Sequence, residues 1–195
     1  MIVYFCQGWT GWLFVTWMPS LLQKNYGVEI KKSAFLYMAL LFSGFLGGMT
    51  TDSLLRRTGS LQIARSLMIA GSWVFAVAGL VPVILFHDMV IGVSGFMVTV
   101  FFLGFAISPL WTATMDIAPN YAGTSSSLMN ASGAVAGILS PVAFAWILDR
   151  TGSWTTPFAV SVCLLLFAIV MTYWIRPDRP IEVVPNVGRL AVAGE

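Results

Sequence analysis

Apolar positions in this chain do not alternate, and they do not follow the three-and-four spacing of a helix with one wet face. They run unbroken. Six stretches carry no charged residue at all: 2–22, 34–51, 67–86, 89–115, 124–148 and 154–175. Each meets the roughly 18 to 20 residues that a helix needs to cross about 30 Å of hydrocarbon. They are apolar on every face, whereas a barrel strand alternates over about ten residues. Helices are also the open-ended structure that satisfies its own backbone in lipid. The pattern therefore predicts an all-α membrane protein, a six-transmembrane-helix bundle. The tail at 177–195, with Pro177, Pro180 and Pro185, is expected to be disordered.

Charge sharpens this picture. All ten Lys and Arg and all eight Asp and Glu lie between or beyond the six stretches. Such segregation follows from the cost of at least about 2.5–3.5 kcal/mol for a charge at the bilayer centre. Only 9% of the 195 residues are charged and 58% are hydrophobic, against the roughly 25% charged of a soluble domain. A net charge of +2 gives no footprint for nucleic acid. Short connections make neighbouring helices antiparallel, and an even number puts both termini on one side. If helix one runs outward, the inner face holds Arg56, Arg57, Arg65, Arg176, Arg179 and Arg189, and the outer face holds Lys24, Lys31, Lys32 and Arg150. That imbalance places both termini in the cytoplasm of a multi-pass cell-membrane protein. The apolar run starts at Ile2 without a basic lead, unlike a cleaved signal peptide, so the chain reads as a fragment or the second half of a longer protein.

The most charged connector is Gly48-x3-Asp52-x3-Arg56-Arg57-x-Gly59, a tight link between the second and third stretches. Its last residues, Arg57-Thr58-Gly59-Ser60, recur as Arg150-Thr151-Gly152-Ser153, 93 residues on (150 minus 57). Three helices per copy would set the two turns on opposite faces, as in an inverted 3+3 repeat; RTGS is also ordinary turn chemistry. Cys6 and Cys163 lie inside apolar stretches and read as small hydrophobes. The lone His87, beside Asp88, reads as a solvated loop residue. No HExxH, CxxC, GxSxG or phosphate loop is present, so neither an enzyme nor a metal or other cofactor is expected.

The connector resembles the signature loop of the major facilitator superfamily, whose fold is two six-helix halves. Three further segments make the chain similar to the C-terminal half of its anion:cation symporter family: Gly8-Trp9-Thr10-Gly11-Trp12-Leu13-Phe14 through Trp17-Met18-Pro19, Gly123 to Pro141 with Asn130, and Trp174-Ile175-Arg176-Pro177-Asp178. The resemblance implies secondary transport of small organic anions such as sugar acids, driven by protons through alternating access. It also implies an absent N-terminal half as partner. In that family the connector, here Gly48, Asp52, Arg56, Arg57 and Gly59, is a conformational latch.

Polar residues facing a common cavity should share helix faces. Tyr4 and Gln7 in the first stretch, Ser108 and Trp111 around Pro109 in the fourth, and Asn130 in the fifth have that spacing. By analogy with sugar-acid symporters, Gln7, Ser108, Trp111 and Asn130 match substrate-lining positions, and Tyr4 joins them on spacing. Interhelical Gln and Asn also act as packing glue, and tryptophans near helix ends as interfacial anchors. Gly44 and Gly48, and Gly133 and Gly137, are pairs spaced by four that permit close helix packing. Pro82, Pro109 and Pro141 each remove a helix hydrogen bond. With no ionisable group inside any stretch, this piece is expected not to run proton-coupled anion transport alone. The alternative is a self-contained six-helix protein that dimerises as a neutral-solute carrier, channel or scaffold.

Overall fold

In a computed structural model of the chain the described residues are 1–27, 30–86 and 88–181, with the side chains of residues 25, 26 and 30–37 excluded. The expectations for His87, for the Lys31 and Lys32 side chains, and for the tail from residue 182, including Pro185 and Arg189, lie outside them. The six helices are α1 (Ile2–Tyr26), α2 (Ile30–Thr58), α3 (Met68–Leu85), α4 (Met89–Ile117), α5 (Ala122–Thr151) and α6 (Thr156–Thr172). A π-helical turn, Ile63–Leu67, leads into α3, and a 3-10 turn, Pro119–Tyr121, leads into α5. Four helical spans among the described residues are long and apolar enough to cross a membrane: Met38–Thr58, Ile63–Leu85, Met89–Ile117 and Pro119–Thr151. The 17-residue α6 is shorter but apolar, and α1 spans 25 residues while carrying Gln7, Gln23 and Lys24.

The packing has an internal two-fold logic. α2 lies along α4, and α5 lies along α1. Exchanging the first three helices with the last three maps one pair onto the other. α3 touches α6, and α1 touches α4, so these pairs map onto themselves. The repeated turns match bond for bond. Gly59 and Gly152 have φ of 65° and 64°, the left-handed conformation that suits glycine at a helix end. Their amides donate to Leu55 and Leu148 at 2.8 and 2.7 Å. Thr58 and Thr151 Oγ1 donate to the carbonyls of Leu54 and Ile147 at 2.7 and 2.8 Å. Each threonine hydroxyl then accepts from the following serine amide, at 3.3 and 3.2 Å. The inverted 3+3 arrangement is therefore carried by both topology and turn chemistry.

Aromatic rings knit the centre. Phe14 of α1, Phe96 of α4, Phe144 of α5 and Phe158 of α6 are all buried, and their neighbouring ring centroids lie 5.3–5.7 Å apart. Trp17 stacks on Phe144 at 4.7 Å. The outer helices differ: only 17% of the apolar window in α2 and 22% of that in α5 is buried, against 50% for the span containing α3. Met38, Leu41, Phe42 and Phe45 on α2, and Ile138, Val142 and Trp146 on α5, are exposed. This surface is too apolar for water.

The glycines expected at helix seams have different neighbours. A Cβ on Gly8 would sit 3.1 Å from the Gly133 Cα, and one on Gly137 would sit 2.8 Å from Trp12 Nε1. On the α2–α4 seam Gly44 is in ordinary contact, its Cβ position 3.7 Å from the Gly104 carbonyl. The tighter residue there is Gly47, whose Cβ would be driven into the Phe105 carbonyl. That carbonyl is four residues before Pro109, which lacks the amide that would ordinarily donate to it.

Candidate functional site

A cavity of about 390 Å³ opens between α1, α2, α4 and α5. Tyr4, Gln7, Gly8, Gly11 and Trp12 of α1 and Asn130, Gly133 and Ala134 of α5 line one side, while Leu40 of α2 and Val100, Leu103 and Ile107 of α4 line the other. These four helices bound it because the two-fold arrangement sets their small-residue seams around one central gap.

The candidate residues divide. Gln7, Asn130 and Tyr4 line the cavity; Ser108 and Trp111 do not. Gln7 is 5% exposed. Its Nε2 donates to the Leu103 carbonyl at 2.8 Å, and its Oε1 accepts from Trp73 Nε1 at 2.6 Å. Its amide thus ties α1 to α4 and α3, leaving one N–H and one lone pair. Asn130 is exposed, and its amide makes no hydrogen bond with the described residues. Ser108 turns the other way, donating to the Gly44 carbonyl at 2.8 Å across the α2–α4 seam. Trp111 makes a T-shaped contact with Tyr4, with ring centroids 6.3 Å apart and planes at 86°.

The connector is helical for most of its length, because α2 continues through Arg56 and Arg57 to Thr58 and only Gly59 and Ser60 turn. Basic residues in that last turn complement the helix dipole. Asp52 is exposed, with its Oδ1 3.7 Å from Arg65 Nη1. The residue that organises this end is Arg65, which sequence reasoning treated as an inner-face charge. It is buried, at 5% exposure. Its Nε donates to Asp116 Oδ2 at 2.9 Å, and its Nη1 donates to Thr51 Oγ1 at 3.0 Å. The Thr51 hydroxyl donates in turn to the Ala64 carbonyl. One guanidinium therefore joins α2, the π-helical turn and α4 at the end of the bundle where α1 begins and α6 ends. The irregular turn itself was a usable signal only in retrospect, since π-turns are enriched at functional positions but have no sequence signature here.

Comparison with known proteins agrees with this architecture. The family model described as Major Facilitator Superfamily matches residues 1–141. The chain is 36% identical over 192 residues to the probable sulfoacetate transporter SauU of Cupriavidus necator, covering 92% of this chain and 44% of that protein. It is 32% identical over 193 residues to the probable galactarate/D-glucarate transporter GudP of Escherichia coli, covering 95% of this chain and 42% of that one. A sodium-dependent phosphate transport protein of Arabidopsis thaliana is 28% identical over 172 residues, covering 86% of this chain and 33% of that protein. The chain thus spans less than half the length of these relatives. On the family match over most of its length, reinforced by six helices in a two-fold arrangement around a cavity, the chain belongs to the Major Facilitator Superfamily.

Proposed function

We propose that this chain is the C-terminal half of a secondary transporter that moves small organic anions, such as sugar acids, by alternating access. The observation that carries the reading is the central cavity: its volume lies at the lower end of the range for small-molecule sites, and Gln7 and Asn130 bring amides to it. Those amides suit hydroxyl and carboxylate oxygens. Relatives named for sulfoacetate and galactarate/D-glucarate support the anion class.

Among the described residues no charged side chain lines the cavity, and a buried carboxylate needs a cation. The anion-pairing base and the proton-coupling acid are therefore assigned to a partner N-terminal half. The exposed apolar faces of α2 and α5 fit docking of that half. In this reading the protein works in the cell membrane with both termini cytoplasmic, and Asp52, Arg56 and Arg57 act at the inner latch.

The test is uptake of labelled galactarate and sulfoacetate by cells expressing the full reading frame that contains this chain, with and without a protonophore. Saturable uptake abolished by the protonophore is expected, and Asn130→Ala should raise KM by about tenfold or more, the worth of a lost hydrogen bond to a charged group. Uptake of neither anion would overturn the substrate class, and uptake indifferent to the protonophore would overturn the coupling. Coupled uptake by residues 1–195 alone would overturn the division of labour between halves.

A further inference from the structure

Two cavities meet at one side chain. Besides the central cavity, a second of about 280 Å³ lies toward the end of the bundle where α1 begins and α6 ends, and Tyr4 lines both. The second chamber is bounded by the last turns of α4, the first turns of α5, and the segment that follows α6. Its far side is drawn together by the Ile181 amide, which donates to the Ile117 carbonyl at 2.8 Å.

The setting of the Tyr4 ring is that of a movable wall. On one side it makes a T-shaped contact with Trp111. On the other it lies against bare backbone, because a Cβ on Gly133 would sit 2.6 Å from Tyr4 Cε1. Its hydroxyl makes no hydrogen bond with the described residues. The ring is half-buried and packs against the edge of the core, but no hydrogen bond or ion pair with the described residues has to break when it turns. Partly exposed side chains of this kind change rotamer far faster than helices move.

We propose that Tyr4 is the partition between the central cavity and a terminal-side release chamber, and that its ring blocks passage of the solute until it swings aside. The proposal rests on the transport reading for its purpose, though not for its test.

The test uses the full reading frame in membrane vesicles of both orientations, with Cys163→Ala to remove the exposed thiol and Ala134→Cys as a reporter in the central cavity. A membrane-impermeant maleimide is the probe, and labelling is normalised to the protein retained in the membrane. Tyr4→Ala is expected to raise labelling severalfold only in vesicles whose termini face the reagent. Tyr4→Phe should label at the parental rate, since the ring is the barrier. Gly133→Ala, whose methyl displaces the ring, should move in the direction of Tyr4→Ala. Tyr4→Leu should fall between, and together with Gly133→Ala it carries the test if the alanine variant does not accumulate. Parental labelling in Tyr4→Ala, or equal gains in Tyr4→Phe and Tyr4→Ala, would overturn the partition. The expected labelling without uptake of any tested anion would sink the substrate reading and leave the partition standing; uptake with unchanged labelling would do the reverse.

Discussion

Arg65 shows what a single residue does here and why it was hard to see. In the sequence it is one basic residue among several on the inner face, just before an apolar run. Its partner Asp116 is 51 positions away, so no local spacing announces the pair. Only the fold brings α2, the π-helical turn and α4 to one point. Removing the arginine leaves Asp116 with its side chain 27% exposed and without its cation. Breaking a buried pair costs about 3–5 kcal/mol, and partial exposure here lowers that to roughly 2 kcal/mol. Arg65→Met should therefore reduce the thermal stability of the purified protein measurably, while Arg65→Met combined with Asp116→Leu should lose less than the two single losses added together. An additive result in that double-mutant cycle would show the pair to be uncoupled. Gln7 teaches a related lesson. A polar amide in an apolar run was legible as unusual, but whether it serves solute or packing depends on Trp73 and Leu103, which only tertiary structure brings to it.

At the scale of an element, the positions of the apolar runs were legible and the ends of the helices were less so. α2 outlasts its apolar run by seven residues, from 51 to 58, because a charged stretch beyond the hydrocarbon can stay helical when its last turn is basic. The terminator, Gly59, was visible. The α2–α4 seam differs in detail from the spacing-by-four expectation. Gly44 and Gly48 point to the correct face, yet it is Gly47 that has no room. Spacing identifies a face; it does not identify which residue on it touches a carbonyl. Gly47→Ala should cost about 1–3 kcal/mol through overpacking, whereas Gly44→Ala should be within roughly 0.5 kcal/mol of the parent. Both are read as shifts in the unfolding midpoint in detergent. Equal shifts would show that the seam relaxes freely.

Across the whole molecule, the inverted repeat is the feature that four identical residues hinted at and the bond pattern of both turns now carries. Because Gly59 and Gly152 have matching φ and each amide donates to a leucine carbonyl four residues back, Gly59→Ala and Gly152→Ala should cost the same, about 1–2 kcal/mol each for a left-handed alanine. Matched losses in stability are expected although the two turns lie at opposite ends of the bundle, and a loss at only one would mean that surroundings outweigh the turn. The contact of Gly8 with Gly133 has a wider consequence. Along that line the chamber wall is bare peptide, which offers nothing for selection to reshape. Under the proposed transport reading, differences in cargo would then be written in the side chains around that bare strip, with Gln7, Trp12 and Asn130 supplying its nitrogen donors, so that relatives with different cargoes are expected to share the masonry and differ at those three letters.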